Sequence, residues 1–166
     1  MSQSVSIQVG DSCVEAPYSG NPVLIPGTIE VENFNIGGPN ISFYDNDVVN
    51  QGSAYRLTDQ VDIENCSDEN GGYNIGYTVV GEWMKYMINV EESGDYIISG
   101  RVASDNSGGA FRVEFNGENK TGTLSVPYTG GWQQWSNIST GNVFLESGIY
   151  TVRVHIESGG FNLNKI

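Results

Sequence analysis

Residues 68–90 read DENGGYNIGYTVVGEWMKYMINV and contain a clear β-strand pattern in their second half. From Trp83 onward every second residue is apolar, namely Met84, Tyr86, Ile88 and Val90. A period of two is typical of a strand with one buried face, because successive side chains point to opposite sides. Trp83 falls on the polar face beside Lys85. The segment therefore predicts a half-buried strand and leaves a tryptophan on its outer face.

Similar alternation recurs in short segments along the whole chain, separated by turns rich in Gly, Asn and Pro. It predicts strands at 4–9, 28–32, 55–57, 61–64, 96–103, 111–115, 124–126 and 150–156, and a pair of strands within 135–145. No segment has a convincing helical period. Short strands at regular spacing with turns between them predict an all-β fold, a β-sandwich of the jelly-roll or galactose-binding type with two antiparallel sheets.

Length and charge restrict the class of protein. A chain of 166 residues is most simply one domain with its own core. Its net charge of -13, from 20 acidic and 7 basic residues, argues against nucleic acid and membrane partners. No apolar run approaches the roughly 20 residues of a membrane helix. Met1 is not followed by a signal-peptide pattern, so we expect either a cytoplasmic protein or a piece of a longer secreted one.

Catalysis finds little support in the residues. The single histidine, His155, shares the outward face of its strand with Thr151 and Arg153, so no Ser-His-Asp arrangement can be built around a buried base. A pair of carboxylates for glycoside hydrolysis stays open among 20 acids, but the acids cluster in turns and at strand ends. The expectation is a protein that is not an enzyme.

Two acidic residues suggest a calcium site. Glu30 and Glu32 are two residues apart on a predicted strand, so both carboxylates leave the same outward face and can converge on a hard cation. The polar loop 35–52 follows, and a loop of that length is often functional or held by an ion. A pair of solvated acids is the open alternative.

A third set of residues suggests a binding cleft. Tyr73, Tyr77 and Trp132 lie beside Gly-Gly turns, and Asn162 and Asn164 follow another. Because the loops at one end of a sandwich come together, Tyr77 and Trp132 can flank a gap that grips both faces of a sugar ring. An asparagine at the floor would supply both a donor and an acceptor for hydroxyl groups. Ordinary core packing of these aromatic residues is the alternative.

The two cysteines lie in polar segments. Cys13 is near the N-terminus and Cys66 is in a loop, where a disulfide would pin a tail to the body of the domain. A Cys13–Cys66 disulfide and two free thiols are both open, and the disulfide is the prediction.

The order of several short motifs resembles one known family. The motifs are IEVENF (29–34), YR (55–56), VDIE (61–64), GGYNIGY (71–77), GEW (81–83), RVAS (101–104), GGW (130–132) and GFNLN (160–164). In this order the chain from 28 to 166 resembles the family 6 carbohydrate-binding modules. Residues 1–27 lie outside the resemblance and are expected to form an N-terminal extension that packs on the module or leads into it.

The resemblance implies a main binding site. In such modules a tyrosine and a tryptophan sandwich a sugar above an asparagine, which by position are Tyr77, Trp132 and Asn162. Glu64 is implied as a nearby polar contact. Tyr73 and Asn164 are alternative positions for the tyrosine and the asparagine.

The resemblance also implies two further features. Some members use a second cleft on the concave sheet face, with a tryptophan at the position of Trp83 and here Lys85 beside it. A structural calcium ion (Ca2+) is implied at Glu30 and Glu32, with main-chain oxygen near Arg56 as a further ligand.

The expected function is that of a non-catalytic, secreted module that holds a hydrolase in the same chain near its polysaccharide. β-1,3-Glucan (laminarin) or agar is the favoured glycan, and xylan or mixed-linkage glucan is also compatible with the family. We expect a monomer that binds an oligosaccharide or polysaccharide, with no nucleic acid or membrane partner. A structural or adhesion domain with a protein partner, or a glycosidase fragment, is the alternative.

Overall fold

The computed structural model describes residues 14–166, so the predicted edge strand 4–9 and Cys13 lie outside the described part. Within that part the chain forms β-strands and one short 3-10 helix. The prediction of an all-β fold is therefore confirmed. No helix among residues 14–166 has the length and hydrophobicity that crossing a membrane requires.

The strands are numbered in chain order. They are β1 (Val23–Ile25), β2 (Phe43–Tyr44), β3 (Ile63–Asn65), β4 (Tyr73–Ile75), β5 (Trp83–Val90), β6 (Gly94–Ser104), β7 (Gly109–Phe115), β8 (Glu118–Asn119), β9 (Leu124–Val126), β10 (Gly131–Leu145), β11 (Gly148–Ser158) and β12 (Asn162–Lys165), with the 3-10 helix at Val31–Asn33.

These strands form two sheets that face each other, as the sandwich prediction requires. One sheet has the order β1-β5-β11-β7-β8, with β2 also paired to β5 and β9 to β7. The other has the order β10-β6-β12-β4-β3. The pairings are antiparallel except for β1 with β5, which run parallel. Strand β1 lies in the segment expected to be an extension, so part of residues 1–27 completes a sheet.

The alternating residues fill the space between the sheets. Met84, Tyr86, Ile88 and Val90 of β5 are buried, and they meet the inward faces of β7 and β11 and, from the other sheet, Val102 and Leu163. Burying an aliphatic or aromatic side chain of this size stabilises a fold by roughly 1.5–3 kcal/mol. The buried hydroxyl of Tyr86 donates to the carbonyl of Val31 at 2.8 Å, which ties the 3-10 helix to the core.

Three of the predicted strands differ from the structure. Residues 28–32 form an isolated bridge at Glu30 and the 3-10 helix instead of a strand. Residues 55–57 form a turn, because Tyr55 and Arg56 adopt left-handed φ angles of 47° and 45° that no strand accommodates. The segment 135–145 is part of the single long strand β10, which has irregularities after Gly131 and Ser139 instead of a hairpin.

Two loops at one end of the sandwich are locked together by Thr78. Its hydroxyl donates to the carbonyl of Phe161 at 2.8 Å and accepts the Phe161 N–H at 3.1 Å, and its carbonyl accepts the Gly160 N–H at 3.0 Å. A Cβ on Gly159 would lie 2.0 Å from the Thr78 carbonyl oxygen. The segment after β4 therefore packs on the turn between β11 and β12 only because residue 159 has no side chain.

We expect Gly159→Ala to force these loops apart and to lower the free energy of unfolding by about 1–3 kcal/mol. Each kcal/mol lowers the Tm by about 2–4 °C in a chain of this size. Thermal unfolding by circular dichroism measures the change. Gly141→Ala is the matched control, because a Cβ there meets nothing within 4 Å. Equal Tm values for the two variants would contradict the lock.

Candidate functional site

A cleft of about 310 Å³ opens where the locked loops meet the start of β10. It is lined by Glu64, Tyr77, Trp132, Gly160, Phe161 and Asn162. These residues come from β3, from the loop after β4, from β10, from the turn before β12 and from the first position of β12. The structure thus brings together Glu64, Tyr77, Trp132 and Asn162, the four residues that sequence motifs up to 98 positions apart had suggested.

Two aromatic side chains form the walls of the cleft. Tyr77 is 53% exposed and Trp132 is 43% exposed, so about half of each side chain is open to solvent. Tyr77 has a left-handed φ of 50°, a conformation that costs a non-glycine residue roughly 1–2 kcal/mol. Trp132 follows Gly131 at the irregular start of β10, where the ladder to β6 is interrupted. Both rings are therefore presented outward by local backbone distortions.

Asn162 forms the floor between these walls. It is only 3% exposed, and its Nδ2 donates to Glu64 Oε1 at 2.6 Å and to the Trp132 carbonyl at 2.7 Å. Both partners are acceptors, so the orientation of the amide follows from its contacts. The expectation that this asparagine offers both a donor and an acceptor needs correction, because both of its N–H groups are already bonded. Only Oδ1 remains.

Glu64 completes the floor and is held by further amides. Its Oε1 accepts from Asn74 Nδ2 at 3.0 Å and from Gln133 Nε2 at 2.9 Å, in addition to Asn162. Gln133 Nε2 also donates to Asn74 Oδ1 at 3.1 Å, and its Oε1 accepts the Ser67 N–H at 2.8 Å. Sequence reasoning missed Asn74 and Gln133. The available signal was that each is a polar residue next to a proposed site aromatic, Tyr73 or Trp132.

A glycine allows the floor to approach the wall. A Cβ on Gly76 would lie 3.0 Å from Asn162 Oδ1 and 3.2 Å from Glu64 Cδ. These distances are tighter than ordinary van der Waals contact. Gly76 therefore lets the backbone just before Tyr77 lie directly against Asn162 and Glu64.

Tyr73 and Asn164 lie elsewhere. The Tyr73 ring stacks on Tyr55, with centroids 4.6 Å apart and planes at 11°, and packs against the core. Asn164 is buried and donates to Asp68 Oδ2 at 2.9 Å, on a carboxylate that Arg101 also holds at 2.7 Å. Neither residue lines the cleft, because both are used in internal contacts.

Trp83 lies on the outer face of the seven-stranded sheet, as its phase predicted, and pairs across the strands with Tyr44 and His155. Lys85 Nζ is 5.4 Å from the centroid of its ring. The same ammonium group forms an ion pair with Glu15 Oε2 at 3.1 Å. Trp83 and Lys85 thus form a separate surface, and Glu15 engages the lysine that was expected to serve a second cleft.

The structure changes the expected setting of Glu32. It was predicted to point outward with Glu30, but the turn of the 3-10 helix rotates it inward and leaves it 7% exposed. Its Oε2 is buried and has no hydrogen-bond partner among the described residues. Burial raises the pKa of Glu32 to about 7, and repulsion from Glu30 contributes.

A buried carboxylate oxygen without a partner, next to a second carboxylate, fits a divalent cation, which takes oxygen ligands. Glu30 and Glu32 are the residues that would hold it. The guanidinium of Arg56 donates to the carbonyls of Glu32, Phe34 and Asn35 and so fixes the backbone around that position. The Arg56 carbonyl accepts the Asp59 N–H at 2.9 Å.

A second group of acids was not anticipated from the sequence. Asp45, Asp47 and Asp62 each place a carboxylate oxygen within 4.8 Å of the others. Burial raises the pKa of Asp62 to about 6, with repulsion from Asp45 and Asp47 contributing. Burial likewise raises the pKa of nearby Glu82 to about 7. Asp45 and Asp47 lie in the long loop 35–52, and Asp62 directly precedes β3. Because 15 or more positions separate Asp62 from the other two, the sequence did not reveal the cluster.

These buried acids predict how stability depends on pH. Glu82 binds a proton more tightly in the folded state, where its pKa is about 7, than in the unfolded state, where it is about 4.5. The contribution of Glu82 to the free energy of unfolding is therefore fully present below about pH 4.5 and is lost as the pH rises through 7. In chelator, Glu82→Gln should reduce the fall in Tm between pH 4.5 and 8, whereas Glu91→Gln, an exposed acid, should not. An unchanged Tm profile for Glu82→Gln would contradict this assignment.

The disulfide stays a prediction. Cys66 is buried and is a free cysteine in the structure. Its predicted partner, Cys13, lies outside the described residues. Burial raises the pKa of the Cys66 thiol, which makes it a poor nucleophile near neutral pH.

Residues 51–166 match the family model described as "Carbohydrate binding module (family 6)". A curated relative, the clotting factor G alpha subunit of Tachypleus tridentatus, is 38% identical over 118 residues. The match covers 70% of this chain and 17% of that relative, so the chain spans only a small part of the relative's length.

Solved structures resemble the chain over most of its length. The C-terminal family 6 module of a marine laminarinase from Zobellia galactanivorans is 37% identical with a TM-score of 0.66, covering 84% of this chain and 94% of that one. A module of Cellvibrio mixtus lichenase 5A in complex with cellotriose is 32% identical with a TM-score of 0.64, covering 84% and 92%. A β-1,3-glucan-binding module from Bacillus halodurans is 26% identical with a TM-score of 0.64, covering 87% and 96%.

Proposed function

Because the chain belongs to family 6 of the carbohydrate-binding modules, which are not enzymes, we propose that it binds a β-1,3-glucan in the cleft between Tyr77 and Trp132. Family membership argues against glycosidase activity in this module itself. The observation that supports the site is the pairing of two half-exposed aromatic walls with a buried polar floor.

The walls and the floor would act on different parts of a sugar. The rings of Tyr77 and Trp132 cover the apolar C–H patches of a pyranose, at roughly 25 cal/mol per Å² of apolar area removed from water. Glu64 and Asn162 then meet the hydroxyl groups at the ring edge. One sugar held this way binds weakly, with a Kd on the order of mM to μM. Such binding suits a module that keeps a soluble or gel-forming polymer nearby.

The relatives support β-1,3-glucan ahead of the other glycans. The Zobellia galactanivorans module belongs to a laminarinase, and the Bacillus halodurans module is described as β-1,3-glucan binding. Agar, xylan and mixed-linkage glucan are the competing ligands, and the binding experiment below includes them. Two of the relatives are modules of polysaccharide hydrolases. We extend the proposal to a secreted protein in which this monomeric module directs a linked hydrolase to its substrate.

Trp132→Ala should weaken binding to laminarin at least tenfold, which corresponds to about 1.4 kcal/mol, because one wall of the cleft is lost. Affinity electrophoresis and isothermal titration calorimetry on laminarin, agarose, xylan and lichenan measure the change and the preference. Tyr128→Ala is the matched control, because Tyr128 is an exposed aromatic residue in the loop just before β10 and does not line the cleft.

Unchanged retention of Trp132→Ala would refute the loop-end cleft. Loss of retention only in Trp83→Ala would move binding to the outer face of the seven-stranded sheet. Circular dichroism of each variant shows whether the fold is retained.

We also propose that a calcium ion stabilises the module at Glu30 and Glu32. The support is the buried Oε2 of Glu32, which has no partner within residues 14–166. An ion there would neutralise two acids that otherwise repel each other. Main-chain oxygen near Arg56 is the further ligand that family resemblance implies.

Calcium at 100 times its Kd should add about 2.7 kcal/mol to the free energy of unfolding at pH 7.5, read as a rise in Tm over protein in chelator. Glu32→Gln should lose this rise, while the variant in chelator is no less stable than wild type because the buried charge is gone. Glu91→Gln should keep the full effect. A calcium effect that survives in Glu32→Gln but vanishes in Asp62→Asn would assign the ion to the aspartate cluster instead.

A further inference from the structure

The hydrogen-bond donors at the floor of the cleft are all occupied within the protein. The Asn162 amide uses one N–H on Glu64 and the other on the Trp132 carbonyl. The main-chain N–H groups of Gly160 and Phe161, which also line the cleft, are bonded to Thr78 at 3.0 and 3.1 Å. A bound sugar therefore finds no free N–H at the floor formed by Glu64, Gly160, Phe161 and Asn162.

Two side-chain acceptors at the same floor have no hydrogen-bond donor among residues 14–166, namely Asn162 Oδ1 and Glu64 Oε2. Asn162 Oδ1 accepts no hydrogen bond from residues 14–166, and it keeps contact with solvent in the cleft. The same holds for Glu64 Oε2, because all three amide donors converge on Oε1. The floor thus presents two oxygen atoms, and one of them belongs to a carboxylate.

The neighbouring amide side chains hold the Glu64 carboxylate in this position. Gln133 donates to Glu64 and to Asn74, and its own oxygen is held by the Ser67 N–H. Asn74 donates to Glu64 and to the Ile75 carbonyl. Moving the whole Glu64 carboxylate out of this network would leave three amide N–H groups without an acceptor, which is costly, so one carboxylate oxygen stays with the amides and the other faces the cleft. Gln133 and Asn74 are therefore positioning residues for the cleft.

We infer that this floor selects neutral sugars, which it recognises through two hydroxyl groups that donate hydrogen bonds, and that it excludes acidic sugars. The inference rests on the proposed function and specifies its ligand class. A hydroxyl group can donate to both oxygens, whereas the carboxylate of a uronic acid has no proton to donate near neutral pH. The carboxylate of a uronic acid would also bring a second negative charge to within the width of one sugar ring from the Glu64 carboxylate.

The size of the exclusion follows from Coulomb's law. Two unit charges about 6 Å apart at an effective dielectric constant near 20 repel enough to lower affinity roughly 100-fold. The net charge of -13 also repels acidic polymers at long range. Salt separates the two effects, because the Debye length falls to about 4 Å near 0.5 M ionic strength and screens distant charges first.

The test compares a neutral β-1,3-gluco-oligosaccharide with the same oligosaccharide oxidised at C6 to uronic acids, by calorimetry in 0.5 M NaCl at pH 7.5. The wild-type protein should bind the neutral form at least tenfold more tightly. Glu64→Gln keeps an oxygen for the three amides but removes the charge, so the ratio should fall to threefold or less. Glu69→Gln makes the same charge change on an exposed side chain in the loop between β3 and β4 and should keep the wild-type ratio.

Each outcome decides the inference. Equal wild-type affinity for the two forms would overturn it, even if Glu64→Gln proved too unstable to measure. A wild-type preference that persists in Glu64→Gln, or that Glu69→Gln also removes, would assign the exclusion to the general surface charge and overturn it as well. If the wild-type protein bound neither form, the proposed function would fail and the inference with it. Binding of the neutral oligosaccharide supports the proposed function whatever the affinity for the oxidised form.

Discussion

The amide nitrogen of Asn162 joins three parts of the chain that are far apart in sequence. It donates to Glu64, 98 residues away, and to the carbonyl of Trp132, 30 residues away. Through these two bonds one side chain on β12 holds the floor of the cleft and the backbone that carries one of its walls. Thr78 provides the same kind of link for the other wall. It follows Tyr77 directly in the chain, and it is hydrogen-bonded to Gly160 and Phe161 in the turn before β12. The cleft is therefore part of the sandwich and not an addition to flexible loops.

The buried carboxylate groups of this protein fall into two classes, those paired with a basic side chain and those without such a pair among the described residues. Asp68 pairs with Arg101, and this guanidinium holds the pKa of the Asp68 carboxyl well below its usual range. Glu32, Asp62 and Glu82 are buried and form no ion pair with a basic side chain of residues 14–166, and their pKa values are raised instead. Buried acids of the second kind destabilise a fold at neutral pH unless protons or cations neutralise them. That cost lies away from the cleft, where Glu64 is satisfied by amides and keeps one oxygen open.

Much of the core could be predicted from the sequence. The alternating residues of β5, β7 and β11 face inward as expected, because a period of two leaves only one way to bury an apolar face. The same argument placed Trp83 on the outside correctly. It failed at Glu32, where a 3-10 turn breaks the period and carries the carboxylate inward. It also failed at 55–57, where two left-handed residues form a turn that side-chain alternation cannot reveal.

By itself, the sequence determined the class of fold, the aromatic residues near Gly-Gly turns and the family resemblance, because strand periodicity and local motifs are encoded over a few neighbouring residues. Only the tertiary structure decided which of these residues meet. It put Tyr77 in the cleft and Tyr73 in a stack with Tyr55, and it separated Asn162 from Asn164 although both lie on one strand. It also brought in Asn74 and Gln133 and showed that the floor has no free donor. The physical reason is that hydrogen bonds between distant segments depend on ångström-scale distances and on which partners are already used, and neither is written in local sequence.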